Sequence, residues 1–172
     1  MDLKQLITPE LLASLDQPVP RYTSYPTAPQ FSAVEEKDFL HHLDLFNQTQ
    51  KPLSLYIHIP FCKNMCLFCG CSVVLNRRSE KQAAYLEHLL QEISLVSNRF
   101  SEKKRIAQLH LGGGTPTSLT EEEFGCLMQA LNQAFVFEKN AEISIEADPR
   151  TIHADGGKKL TYLRKLGFNR VS

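Results

Sequence analysis

Four of the chain's five cysteines lie within ten residues, from Cys62 to Cys71. Cys62, Cys66 and Cys69 have the spacing C-x3-C-x2-C at the end of an apolar run, so one loop can place three thiolates around a small inorganic group. Thiolates are soft ligands that select iron-sulfur clusters, zinc or copper(I) over hard cations. Cysteines clustered in this way make a poor disulfide framework and are typical of a metal site in a reducing compartment.

Charge and hydropathy exclude several classes of partner. Lys and Arg number 19, as do Asp and Glu, so the formal net charge of the 172 residues is zero. No global field therefore attracts nucleic acid or an anionic membrane. No stretch approaches the roughly 18 apolar residues of a membrane-spanning helix, and the amino terminus lacks the basic and apolar pattern of a signal peptide. We expect a cytoplasmic protein that binds neither nucleic acid nor membrane.

From Pro52 onward, strand patterns alternate with helix patterns. The predicted strands cover 53–59, 106–111, 142–147 and 168–172. The predicted helices begin at a cap at Ser79, at a Thr120 and Glu123 cap, and at Asp155. Alternation of this kind predicts parallel strands joined by right-handed crossovers, and therefore an α/β sheet or barrel.

Residues 1–50 are predicted to form an amino-terminal extension, and residues 51–172 the α/β part. The extension contains short helical patterns, one of which is capped by Ser32 and Glu35 and ends near Asn47. Before it, the segment 19–31 contains three prolines and is predicted to be extended.

One face of every predicted strand is apolar and the other is polar. In the first strand Leu55 and Ile57 share one face, whereas Tyr56 and His58 share the other. On the second strand the predicted apolar face carries Ala107, Leu109 and Leu111, and the polar face carries Gln108 and His110. Packed barrel interiors are filled with branched apolar side chains, so a polar interior face predicts a cavity that binds a ligand. Ligands in such folds bind at the carboxyl ends of the strands.

The cysteine loop after the first strand and the G-G-G-T-P loop 112–116 after the second together resemble the radical S-adenosylmethionine superfamily. Three further features resemble the oxygen-independent coproporphyrinogen III oxidases within that superfamily. They are the Tyr56-x-His58-x-Pro60-Phe61 lead-in, the fourth cysteine in Cys69-Gly-Cys71 and the segment P-R-Y-T-S-Y-P-T at 20–27. The resemblance implies a partial, three-quarter βα barrel, of which this chain holds the first three βα units and the start of a fourth strand.

Three thiolates can hold three irons of a 4Fe-4S cluster and leave the fourth iron open, as a cluster that binds a substrate requires. The resemblance implies that Cys62, Cys66 and Cys69 are these ligands and that Cys71 is not. It also implies that S-adenosylmethionine binds the open iron, with a second S-adenosylmethionine beside the first. The alternative is a structural zinc site with Cys71 as the fourth ligand.

Further residues are expected to contact S-adenosylmethionine. Gly113 and Gly114 let the backbone approach the methionine part, Thr115 offers a hydroxyl, and Glu146 accepts hydrogen bonds from ribose hydroxyls, each by resemblance. The complete predicted cofactor-binding set is Tyr56, Phe68, Cys71, Gly113, Gly114, Thr115 and Glu146. His58 lies on the same polar face as Tyr56 and is the candidate catalytic histidine, with a histidine that merely completes that face as the alternative. His110 has the same two interpretations.

The resemblance implies decarboxylation of two propionate side chains of coproporphyrinogen III to vinyl groups by a 5′-deoxyadenosyl radical, in haem biosynthesis. The substrate is a tetracarboxylate, so Arg21 is a candidate substrate contact because its planar guanidinium suits a carboxylate. The other implied partner is an electron donor, and the protein is expected to be a monomer at full length.

Two other functions remain open at this stage. One is a haem-carrying chaperone of the same superfamily, which the P-R-Y-T-S-Y-P-T segment and Cys71 disfavour. The other is a zinc-thiolate binding module without chemistry. Three βα units leave an open sheet edge, so we expect the 172 residues to be the amino-terminal part of a longer enzyme, inactive alone. Cys126 is predicted to be an incidental surface thiol.

Overall fold

The computed structural model describes residues 8–16, 28–67, 69–75, 79–154 and 156–172. The chain divides into two compact units, Met1–Phe39 and Leu40–Ser172. The predicted boundary after residue 50 stays a prediction.

The smaller unit contains helix α1 (Pro9–Leu15) and a 3-10 turn at Ala28–Gln30. That turn corrects part of the predicted extended segment; its residues 19–27 lie outside the described residues. Helix α2 (Glu36–Asn47) ends where predicted, but the expected cap by Ser32 is wrong. The carbonyl of Glu35 accepts from the amides of Asp38 and Phe39 at 3.0 and 3.2 Å, so Glu35 precedes the first turn instead of lying inside it.

The larger unit is an α/β fold built on a parallel four-stranded sheet, as predicted. Its strands lie in the order β1 (Leu53–Ile59), β4 (Arg105–Gly113), β5 (Val136–Ile145) and β6 (Arg170–Val171). Two short strands, β2 (Phe61–Cys62) and β3 (Val74–Leu75), pair with each other in the loop after β1. The helices are α3 (Ser79–Ser97), α4 (Glu121–Ala134), α5 (Pro149–His153) and α6 (Lys158–Lys165).

The predicted split into an apolar and a polar strand face is confirmed, with one correction. Ile57 and Ile59 of β1 are buried, whereas Tyr56 is exposed. In β4 it is Ile106, not Ala107, that is fully buried with Leu109 and Leu111. The register passes from Ile106 to Gln108 opposite Leu53 and Ser54 of β1, so Ala107 is an extra residue in a bulge. A bulge of this kind restores the alternation on its far side.

Helix α4 begins with the predicted capping box. The Thr120 hydroxyl accepts from the Glu123 amide at 3.2 Å, and the Glu123 carboxylate accepts from the Thr120 amide at 2.8 Å. The buried core is formed mainly by α4 and the inner strands. It includes Ile59, Ile106, Leu109, Leu111, Phe124, Leu127, Leu131, Ile145 and Leu163.

Several predicted element boundaries are corrected. The strand expected at 106–111 runs from Arg105 to Gly113, and the strand expected at 168–172 covers only Arg170–Val171. The strand expected at 142–147 is β5, which begins at Val136 and ends at Ile145, so Glu146 follows the strand. The third helix was expected to begin at Asp155, which lies outside the described residues. The structure forms α5 before that position and begins α6 at Lys158, after Gly157 in a left-handed conformation with φ 82°. No helix among the described residues is long and apolar enough to cross a membrane.

Candidate functional site

A cavity of about 690 Å³ lies where the residues that follow β1, β4 and β5 meet. The loop after β1 contributes Cys62, Cys66, Cys69 and Cys71, and the residues after β5 contribute Glu146, Asp148 and Arg150. Between them lie Gly113, the last residue of β4, and Gly114 and Thr115 of the loop that follows. Segments far apart in sequence therefore meet at the carboxyl ends of three parallel strands, where α/β folds bind ligands.

The cysteine loop begins at a buried cysteine and continues to an exposed one. Cys62 is buried in β2, and its sulfur lies 3.3 Å from the Thr115 hydroxyl oxygen. Cys66 is exposed, and its carbonyl accepts from the Cys69 amide at 3.2 Å. All five cysteines are free thiols, and Cys126 is exposed on α4, as predicted.

Cys71 follows the three predicted ligands and lines the same cavity. Although the residue is exposed overall, desolvation of its sulfur raises the pKa of the thiol, and the neighbouring Cys69 raises it further.

The chemistry of the donor set fits an iron-sulfur cluster. Four thiols line one cavity, three of them those of the C-x3-C-x2-C loop, and with the glycine-rich backbone beside them they supply soft ligands and space for a bulky inorganic group. Among the described residues, no group of three or more His, Cys, Asp or Glu side chains is placed so that it could hold a metal ion as it stands. The assignment of Cys62, Cys66 and Cys69 as ligands stays a prediction.

The loop after β4 approaches the cysteine loop closely through its glycines. The Gly114 amide donates to the Ile59 carbonyl at 2.8 Å, and the Thr115 amide donates to the Phe61 carbonyl at 2.9 Å. Gly113 has a φ of 115°, a conformation that other residues rarely adopt. These backbone bonds fix the loop against the segment that carries Cys62.

Glu146 connects the loop after β4 to the residues that follow β5. One carboxylate oxygen accepts from the Gly113 amide at 2.9 Å, and the other lies 3.5 Å from Nε2 of His110. The side chain remains 44% exposed and lines the cavity, so it has accepting capacity left for a ligand.

Tyr56 and His58 lie beside this cavity and contact each other. The Tyr56 hydroxyl is 3.0 Å from Nδ1 of His58, while Nε2 of His58 is 3.2 Å from the Ser72 carbonyl oxygen. Desolvation raises the pKa of Tyr56, and the Glu146 carboxylate and Cys71 add to the increase. His58 thus ties β1 to the end of the cysteine loop, and its predicted catalytic role stays a prediction.

Two cavity residues have no role predicted from the sequence: Asp148, which was expected only on the polar strand face, and Arg150. The Arg150 guanidinium donates to both carboxylate oxygens of Asp148, at 2.6 to 3.0 Å, and also lies 3.6 Å from the Cys66 sulfur. Hydrogen bonding from Arg150 lowers the pKa of Asp148. The available signal was Asp148-Pro-Arg150 directly after a strand whose carboxyl end was already expected to face a ligand.

Arg21 and Phe68 lie outside the described residues, and their predicted roles stay predictions.

The sequence model of the Radical SAM superfamily of proteins matches residues 56–172, about two thirds of the chain. Its matched region includes Tyr56, the cysteine loop, the glycine loop and Glu146.

Several curated relatives are named oxygen-independent coproporphyrinogen III oxidase. The protein of Salmonella typhimurium is 47% identical over 89% of this chain and 32% of its own length. The protein of Synechocystis is 41% identical over 95% of this chain and 34% of its own. The chain thus spans about a third of the length of these relatives.

A solved structure of a similarly named protein is also similar to this chain. The chain is similar to coproporphyrinogen III oxidase (HemN) from Escherichia coli, described as a radical SAM enzyme, with a TM-score of 0.78 and 45% identity. The match covers 88% of this chain and 34% of the other.

Proposed function

The chain belongs to the Radical SAM superfamily, and we propose that it forms the cofactor-binding part of an oxygen-independent coproporphyrinogen III oxidase. Membership implies a 4Fe-4S cluster and S-adenosylmethionine as cofactors. The observation that carries the proposal is the single cavity at which the cysteine loop, the Gly113 to Thr115 loop and Glu146 meet.

In this proposal the chain's own residues divide the binding between them. Cys62, Cys66 and Cys69 hold the cluster, and the Thr115 hydroxyl contacts the Cys62 sulfur. A β-carbon at Gly113 would meet the His58 ring and one at Gly114 would meet the Pro60 carbonyl, so only glycine fits at these positions. The exposed backbone of the two glycines is proposed to face the methionine part of S-adenosylmethionine. Glu146 receives the ribose hydroxyls. When bound, these cofactors supply a 5′-deoxyadenosyl radical that abstracts hydrogen.

The proposed reaction is oxidative decarboxylation of two propionates of coproporphyrinogen III, which gives protoporphyrinogen IX. The relatives carry the name of this activity. After hydrogen abstraction each propionate loses CO₂ and one electron, so the reaction needs an electron acceptor as well as the external donor that reduces the cluster. A second S-adenosylmethionine is proposed beside the first, and Arg21 is proposed as a substrate contact. A protein with zero formal net charge needs such a placed cation to bind a tetracarboxylate.

Anaerobic reconstitution of the 172-residue chain with iron and sulfide tests the cofactor assignment. We expect a brown chromophore bleached by oxygen, about four irons per chain, and retention of S-adenosylmethionine in equilibrium dialysis. Replacing Cys62, Cys66 or Cys69 by Ser should abolish the chromophore. The matched control, Cys126→Ser, removes an exposed cysteine outside the cavity and should leave the iron content unchanged.

The assay also separates the alternatives. A colourless chain that binds stoichiometric zinc would contradict the proposal, and so would iron binding that survives all three substitutions. A haem-carrying function predicts that the chain retains added haem, whereas the proposed function requires release of CO₂ from coproporphyrinogen III by the enzyme at full length.

A further inference from the structure

We propose that His110 and Ser144 are positioning residues that hold the Glu146 carboxylate in the orientation needed for its ligand. The inference rests on the proposed function, in which that ligand is the ribose of S-adenosylmethionine. It assigns a task to His110, a histidine of β4 that the sequence left ambiguous, and to Ser144, which the sequence did not single out.

Ser144 is a buried polar residue between two strands. It is only 4% exposed, although serines in sheets commonly face solvent. Its hydroxyl oxygen lies 2.7 Å from Nδ1 of His110 and 3.2 Å from the Leu109 carbonyl oxygen. Both contacts are to β4, whose residue His110 is opposite Ser144 in the parallel register. The imidazole is therefore oriented by a group that cannot itself rotate freely.

The hydrogens on the Ser144 hydroxyl and the His110 ring can be assigned by counting donors and acceptors. Ser144 has one hydroxyl hydrogen, which goes either to Nδ1 of His110 or to the Leu109 carbonyl. If it goes to Nδ1, the ring is neutral and its hydrogen is on Nε2. If it goes to Leu109, Nδ1 must donate to Ser144, and Nε2 then either carries a second hydrogen or presents a lone pair.

Glu146 decides between these last two states. Nε2 of His110 lies 3.5 Å from one oxygen of the Glu146 carboxylate, which is only an acceptor when ionised. A lone pair on Nε2 would repel that oxygen, so both favourable states place an N–H of His110 toward Glu146. The attraction therefore exists whether the imidazole is neutral or charged.

The Glu146 carboxylate therefore has a neighbour at each oxygen, a hydrogen bond from a backbone amide at one and a longer electrostatic contact with His110 at the other. The Gly113 amide donates to one oxygen at 2.9 Å, and His110 faces the other. Tyr56 stacks on the His110 ring, with centroids 5.8 Å apart and an angle of 22° between the planes, which limits ring motion. Fixing a carboxylate before its ligand binds reduces the entropy lost on binding.

Asn and Gln substitutions at His110 test this assignment. The Asn side-chain amide approximates Nδ1 and can still contact Ser144, whereas the Gln amide extends to the position of Nε2 and can donate to Glu146. We expect His110→Asn to raise the Kd of S-adenosylmethionine about tenfold and His110→Gln to stay within about threefold of the unsubstituted chain. Equilibrium dialysis with the reconstituted chain measures both, and iron content and circular dichroism report folding.

A double-mutant cycle with Glu146→Gln separates positioning from general packing. If His110 acts through Glu146, adding His110→Asn to Glu146→Gln should weaken binding by less than about twofold more. Additive losses, or equal losses for Asn and Gln at His110, would overturn the inference. If His110→Asn fails to fold, Ser144→Ala takes its place, and an unchanged Kd in that variant would also overturn the inference.

Failure of the proposed function has a different signature from failure of this inference. If the unsubstituted, reconstituted chain does not retain S-adenosylmethionine, the proposed function fails. If it retains the ligand but His110→Asn and Ser144→Ala bind equally well, the proposed function stands and the positioning role is wrong.

Discussion

A β-carbon on Gly114 would lie 2.6 Å from the carbonyl oxygen of Pro60 and 3.0 Å from the sulfur of Cys62. The Pro60 carbonyl accepts from the Val74 amide at 2.7 Å, so it is not free to move away. The backbone of the glycine loop is thus packed directly against the start of the cysteine loop. Neither loop can change position without the other.

Gly114→Ala should therefore destabilise the chain and weaken its metal site. Overpacking a rigid contact costs about 1–3 kcal/mol, and here the displaced atoms include a predicted ligand. Urea unfolding and iron content after reconstitution measure the two effects. Gly70→Ala is the control for unfolding alone, because a β-carbon at Gly70 meets nothing within 4 Å although the residue itself lines the cavity. Equal stability of the two variants would show that the contact is not tight.

Thr115→Val should leave the cluster bound but less firmly held. Valine has the shape of threonine without the hydroxyl that contacts the Cys62 sulfur at 3.3 Å. A ligating thiolate can only accept, so the variant loses one hydrogen bond, and we expect iron release to a chelator about fivefold faster. The control is Thr161→Val on the exposed surface of α6. Unchanged release in Thr115→Val would contradict the proposed support of Cys62.

Asp148→Asn should remove a pH-dependent part of the stability. Arg150 lowers the pKa of Asp148 below its ordinary value of 3.8, so the ionised form is favoured in the folded chain. The resulting stabilisation is present above pH 3.8 and is lost as the pH falls through the lower, folded value. Asn keeps an acceptor for the Arg150 amide but cannot ionise.

Urea unfolding from about pH 7 to about pH 1 measures this difference, because the stabilisation is lost only as the pH falls below 3.8 and through the folded pKa of Asp148. The unsubstituted chain should be more stable than Asp148→Asn near neutrality, and the two should converge in acid. Asp44→Asn, at an exposed position of α2, is the control for loss of one negative charge. A stability difference that persists at the acid end would mean that Asp148 acts through its shape and not through its charge.

Lys104→Met should destabilise the larger unit. Lys104 is 4% exposed, and its ammonium group donates to the carbonyls of Asn47 and Thr49 at 2.9 and 3.1 Å. Methionine fills similar space but leaves both carbonyls without this donor, at a cost of about 1–3 kcal/mol in the free energy of unfolding. Lys103→Met changes the exposed neighbour and should have little effect. Equal unfolding free energies for the two variants would contradict this.

The sequence was sufficient where one physical rule decided the outcome. Thr120 and Glu123 specify a helix start because each satisfies an amide of the other, and the structure has both bonds. The polar and apolar faces of β1 follow directly from strand alternation. These local rules were enough to place the cysteine loop, the glycine loop and Glu146 at one end of the sheet.

The sequence was insufficient where tertiary contacts decided. The Asp148 and Arg150 pair needs a particular helix turn after β5, and the contact of Arg150 with Cys66 joins residues 84 positions apart. Similarly, the burial of Ser144 depends on its register opposite His110, which periodicity alone does not fix. Val136 extends β5 toward its amino terminus because Arg105 of β4 is opposite it.

Because of the bulge at Ala107, β4 can lose a residue before Gln108 without moving the residues that reach the site, but it cannot gain one after Gln108. Ile106 and Gln108 occupy consecutive register positions against β1, so Ala107 is already a one-residue insertion that leaves everything after it in frame. Deleting Ala107 would make the pairing between β1 and β4 regular. His110 would still lie opposite Tyr56, and Gly113 opposite Ile59. One residue gained between Gln108 and Gly113 would instead exchange the two faces of the strand. Length variation among relatives should therefore accumulate before Gln108.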